Sequence, residues 1–76
     1  MKERNKEIQE KYNFLLTQLK KARKESYLKQ AVIAKMIGRY SSYISKIESG
    51  DRRIDVIELN ELAEVYNKKL SYFLLK

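Results

Sequence analysis

Seventy-six residues, 43% hydrophobic and 36% charged, bound this chain to one small domain near the lower limit at which a core supports itself. With neither Cys nor His, disulfides, thiolate metal sites and a Ser–His nucleophile are excluded, so no enzyme, cofactor, metal or small-molecule ligand is expected. The net charge of +7 is uneven: residues 1–19 hold four basic and three acidic side chains, residues 20–53 ten and three, and residues 54–76 three and four.

No apolar run approaches the roughly 20 residues of a membrane span, and the N-terminus lacks the apolar block of a signal peptide. No membrane association is expected, and the expected compartment is the cytoplasm. The absence of Pro and the presence of only Gly38 and Gly50 fit an all-helical chain with few places to turn.

Residues 1–11 hold one interior apolar side chain, Ile8, among charges of both signs. They read as a polar helical extension of the first helix, without an assigned function, ahead of a domain over residues 12–76. From Tyr12 the apolar side chains recur at helical spacing through Leu15 or Leu16, Leu19 and Ala22, with Arg23 on the same stripe. This first helix ends near Ser26, and Lys20, Lys21 and Lys24 complement its C-terminal partial charge.

A second helix starts near Lys29 or Gln30, where Lys29 offers no side-chain acceptor to the free N–H groups. Ile33, Ala34 and Ile37 form its apolar stripe, and Gly38 follows where positive φ is needed. The third helix begins at Tyr40–Ser42. There Ile44 and Ile47 point inward, leaving Ser41, Ser42, Ser45 and Lys46 outside. Small Ala34 sits where two crossing helices press together. This is the pattern of a helix-turn-helix, whose second helix is laid into the major groove of DNA.

After the loop Ser49–Ile54, Asp55 with Glu58 three residues on resembles a capping box opening a fourth helix. Val56, Leu59, Leu62, Ala63 and Tyr66 line its inner face, with Glu58, Glu61 and Glu64 outside. Asn67-Lys68-Lys69 turns the chain into a short fifth helix, Tyr72-Phe73-Leu74-Leu75.

From Leu16 to Leu75 the chain resembles the phage-repressor (Cro/XRE-type) family. The resemblance is carried by Leu19, Ala22-Arg23, Leu28, Gln30, Ile33-Ala34 and Ile37-Gly38. It continues through Tyr43-Ile44-Ser45-Lys46-Ile47-Glu48-Ser49-Gly50, Asp51-Arg52-Arg53 and Leu59…Leu62-Ala63. Three positions depart from the family pattern: Tyr27 stands for Gly, Lys29 for Ser or Thr, and Arg39 for an apolar residue. The implied fold is a five-helix, lambda-repressor-like DNA-binding domain with the helix-turn-helix as helices two and three.

The resemblance implies that Ser41, Ser42, Ser45 and Lys46 reach base edges, and that Gln30 bonds a phosphate. Arg39, Ser49, Arg52 and Arg53 would position the domain on the DNA backbone. Tyr40 and Tyr43 join that backbone set, with aromatic packing against the neighbouring helix as the equal alternative. For Arg52 and Arg53 the alternative is a solvated loop. Arg23 and Glu48 stand where family members form a structural ion pair.

The implied partner is double-stranded DNA, and the implied role is transcriptional regulation from a near-palindromic operator. A serine-rich reading helix discriminates poorly alone, and a homodimer through Tyr72, Phe73, Leu74 and Leu75 is expected to double the contact. The competing reading is a protein-interaction module, an adaptor or antitoxin, that uses the fold without specific DNA binding.

Overall fold

The computed structural model describes residues 2–75, with side chains from residue 5 onward; Met1 of the expected extension and Lys76 at the expected domain's end lie outside the described residues. Four α-helices and no strand are found among the described residues. They are α1 (Lys2–Ser26), α2 (Gln30–Met36), α3 (Tyr43–Ser49) and α4 (Val56–Val65), followed by a 3-10 turn over Leu70–Phe73.

The polar N-terminal segment and the amphipathic stripe form one continuous helix of 25 residues. Its stripe of Leu15, Leu19 and Ala22 is buried, with Tyr12 and Leu16 packed against the same core. Fully burying a leucine side chain contributes about 1.5–3 kcal/mol, so Leu15 and Leu19 anchor α1 on the core. α1 ends without glycine because Tyr27 itself adopts the left-handed conformation, at φ 61°. Ser26 helps hold this corner: its hydroxyl donates to the Arg23 carbonyl and accepts from Leu28 N–H.

α2 buries Ile33 and Ala34 against α3, where Ala34 lets the two backbones approach. Its end is a Schellman motif. Gly38 N–H donates to the Lys35 carbonyl at 3.1 Å and Arg39 N–H to the Ala34 carbonyl at 2.8 Å. This geometry requires Gly38 at φ 70°. Gly50, at φ 87°, closes α3 in the same left-handed region, with Leu16 Cδ1 near the place a Cβ would occupy. α3 starts later than its sequence pattern implied, at Tyr43, with Tyr40–Ser42 forming a turn that precedes it.

Asp55 caps α4 through the reciprocal capping box with Glu58. Leu59, Leu62, Ala63 and Tyr66 are buried as their spacing required, but Val56 is exposed. It lies in the first turn, beside the cap and outside the arc that meets the core. Glu58 differs from the outward carboxylate expected of it, being largely covered by Arg52, whereas Glu61 stays at the surface, paired with Arg39.

The expected fifth helix over Tyr72–Leu75 is instead the 3-10 turn ending at Phe73. Four residues allow a single turn, and the tighter turn directs Phe73 into the core, where it is completely buried. Phe73 therefore has no surface to offer a dimer contact, a correction to its expected role. Gln18 Nε2 donates to the Tyr72 carbonyl at 3.1 Å and ties this segment to α1.

Candidate nucleic-acid interface

The outer surface of α3 and its two flanking turns gathers most of the residues expected to meet DNA. Ile44, Ile47 and Glu48 face inward on α3, which leaves Ser41, Lys46 and Ser49 exposed and Ser42 and Ser45 half-buried. The serine hydroxyls are partly committed: Ser45 Oγ donates to the Ser42 carbonyl at 3.0 Å, and Ser49 Oγ to the Lys46 carbonyl at 3.1 Å. Both keep lone pairs for a donor, and Ser49 shares one with Asp51 N–H. Lys46 carries an exposed charge on this face, with Nζ 5.7 Å from the Tyr40 ring centroid.

The two tyrosines separate. Tyr40 is half exposed and meets Tyr43 edge-to-face at 5.8 Å. Tyr43 is buried, and its hydroxyl donates to Glu58 Oε2 at 3.1 Å. Packing therefore accounts for Tyr43, which has no free hydroxyl edge, whereas Tyr40 remains open to solvent. Burial is the chief reason that the Tyr43 hydroxyl is pushed above its ordinary pKa, with Glu58 adding to it.

Arg39 and Arg52 flank the Tyr43 ring, with Cζ 5.4 and 5.0 Å from its centroid. Each also holds a carboxylate of α4: Arg39 pairs with Glu61 at 3.1 Å, and Arg52 with Glu58 at 2.8 Å. The hydrogen bond from Arg52 is the main reason that the Glu58 carboxyl is lowered to about 2. Arg53 is exposed and lies 4.0 Å over the Tyr12 ring, while Tyr12 Oη accepts from Ile54 N–H at 3.2 Å. These contacts fasten the loop after α3 to α1.

At the start of α2, Lys29 makes no side-chain cap. Gln30 is half-buried and donates through Nε2 to Glu48 Oε1 at 3.0 Å, leaving its carbonyl and second N–H uncommitted by that bond. Glu48 in turn receives Arg23, from Nε at 2.7 Å and from Nη2 at 3.1 Å. The hydrogen bond to Glu48 is the largest influence raising the Arg23 pKa. Gln30, Glu48 and Arg23 thus form one network that joins α1, α2 and α3 from behind the exposed face.

Glu58, Glu61 and Tyr12 take part in this surface without having been marked by the sequence pattern as more than cap, solvent face and core. The available signal was the Arg52–Glu58 spacing across a cap, which is ambiguous until α4 is placed. Lys20, Lys21 and Lys24, read only as C-terminal charge, line a shallow groove of about 640 Å³ with Thr17, Glu25 and Tyr27. No helix among the described residues is long and apolar enough to cross a membrane. No cluster of potential metal ligands occurs among them.

The assembled surface carries Lys46, Arg39, Arg52 and Arg53 with the hydroxyls of Ser41, Ser42, Ser45 and Ser49. It suits a polyanion better than a small molecule. Compared with known families, residues 19–73 match a helix-turn-helix model. No curated protein and no solved structure matches the chain.

Proposed function

Because the chain belongs to the helix-turn-helix family of the Cro/C1 type, we propose that it is a sequence-specific, double-stranded-DNA-binding transcriptional regulator. In this reading α2 and α3 are the helix-turn-helix, and α3 enters the major groove. The observation that carries it is a coincidence of charge and form. The segment 20–53, with ten basic residues against three acidic, contains the two short helices, and the outer side chains of the second are not among the buried core residues. Ser41, Ser42, Ser45 and Lys46 read bases. Gln30, Arg39, Tyr40, Ser49, Arg52 and Arg53 position the backbone. Gln30 is held for that task by Glu48.

Selection of bound sites from a random duplex pool tests this directly. Against the selected site, Lys46→Ala and Ser42→Ala are each expected to lose about 1–3 kcal/mol, with a smaller loss on random duplex. Equal losses on both duplexes would remove these side chains from the reading set.

The regulator acts as a homodimer on a near-palindromic operator with half-sites about 34 Å apart. Leu74 and Leu75 are exposed directly after the 3-10 turn, and Tyr72 is half-buried beside them. This apolar end lies in the segment without excess positive charge, so two copies meet there without strong repulsion. Sedimentation at tens of micromolar should give a dimer for the wild type and a monomer for Leu74→Glu/Leu75→Glu. A monomeric wild type that binds its site without cooperativity would contradict the assembly.

A further inference from the structure

The two arginines beside Tyr43 are not free cations. Arg52 grips Glu58 with both Nη atoms, at 3.1 and 2.8 Å, and Arg39 Nη2 donates to Glu61 Oε1 at 3.1 Å. Glu58 is held independently of Arg52, because it also accepts from Tyr43 Oη and from Asp55 N–H of the α4 cap. The anion therefore stands in place before any ligand arrives. Lys46 and Arg53, by contrast, have no carboxylate partner among the described residues and rest on tyrosine rings.

We infer that Glu58 and Glu61 are internal counter-anions that limit sequence-independent DNA binding, because a phosphate reaches Arg52 or Arg39 only by sharing or displacing an α4 carboxylate. This deepens the DNA-binding reading and rests on it.

The argument is electrostatic. A guanidinium without a counter-charge that meets a phosphate releases about 0.9 of a condensed cation from duplex DNA, and this release drives binding at low salt. A guanidinium already paired brings its carboxylate to the phosphate as well, so most of that gain is cancelled. The geometry does not close the site. Arg has five N–H donors, and Arg52 spends two on Glu58 and one on the Arg53 carbonyl. Two remain for a phosphate oxygen once the rest of the interface has docked. Contacts that need the correct groove come first and the arginine contacts follow, which favours a fitted site over random duplex. Glu58 and Glu61 are thus specificity-determining through the arginines they hold.

The test compares wild type, Glu61→Gln and Glu58→Gln for binding to random-sequence duplex over a salt series, with thermal melting of each protein alongside. Glu61→Gln removes a surface charge outside the cap and leaves the fold intact. Glu58→Gln keeps an acceptor for Arg52 and Asp55; should it melt early, Glu61→Gln carries the test. Each variant is expected to bind random duplex about three- to eightfold tighter near 0.1 M salt, with a log–log salt slope steeper by up to about one. Preference for the selected site over random duplex should fall by a similar factor. Affinity that is unchanged or weaker in the variants, with an unchanged slope, overturns the inference and leaves DNA binding standing. A wild type that binds no duplex overturns the DNA-binding reading, and this inference falls with it.

Discussion

Glu48→Ala is expected to destabilise the domain by about 3–5 kcal/mol, the cost of leaving one partner of a buried ion pair alone. Glu48 is only 4% exposed, and its two oxygens accept from Arg23 Nε, Arg23 Nη2 and Gln30 Nε2. Without it the Arg23 guanidinium, largely buried beside the core, retains among the described residues only a 3.5 Å bond to the Leu28 carbonyl. A chain of this length has a total stability of roughly 4–11 kcal/mol, so the variant loses a large share of it. The melting temperature should drop by about 12 °C or more.

Two companions separate charge from packing. Glu48→Gln keeps two hydrogen-bonding atoms and removes the charge, and should lose less than Glu48→Ala. Arg23→Met/Glu48→Leu removes both charges together and should recover much of the stability, because paired burial of ions repays its desolvation poorly. A Glu48→Ala protein that melts within a few degrees of wild type would show that water reaches this pair. The same network holds Gln30, so Glu48→Gln should also weaken DNA binding at temperatures where the fold is intact.

Phe73→Ala is expected to cost a further about 3–5 kcal/mol in a separate experiment, as the loss of a large buried aromatic side chain does. Phe73 is completely buried, meets Tyr72 edge-to-face at 5.1 Å and lies in the segment that closes the core across α1 and α4. The loss should be the same at low and high protein concentration, because it belongs to the folding of one chain. A melting temperature close to that of wild type when dilute, with a deficit appearing only at concentrations where copies associate, would return Phe73 to an interface. Leu74 and Leu75 should show the reverse pattern: little effect on folding and a strong effect on assembly.

Local chemistry made much of this fold legible. The Asp55…Glu58 pair announced the start of α4, because a capping box satisfies backbone donors within four residues. Gly38 marked the end of α2 for an equally local reason, since a side chain there would strain the left-handed turn. The stripe through Leu19 and Ala22 was visible as period alone, though the period left Leu15 and Leu16 as alternatives and burial chose Leu15. The inward stripe on α3 separated Ile44 and Ile47 from Lys46 and the serines, so the composition of the outer face was legible too.

Other features were invisible for a physical reason. Tyr27 occupies a position expected to favour glycine, yet it takes φ 61° with its side chain 94% exposed. The strain is overridden by the corner between α1 and α2, which no residue type reports. Tyr43 had two equal readings, and its burial was settled only when α4 brought Glu58 to its hydroxyl.

The sequence by itself determined the all-helical class, the Asp55–Glu58 cap, the Gly38 turn, the basic middle of the chain and the family, because each depends on spacing and residue type along the chain. Tertiary structure alone decided that Phe73 fills the core, that Glu58 is covered by Arg52 and Glu61 paired with Arg39 at the surface, and that Gln30 leans on Glu48. Those outcomes depend on where helices distant in sequence come to rest. A short apolar run or a carboxylate at a helix start has the same local chemistry wherever that is.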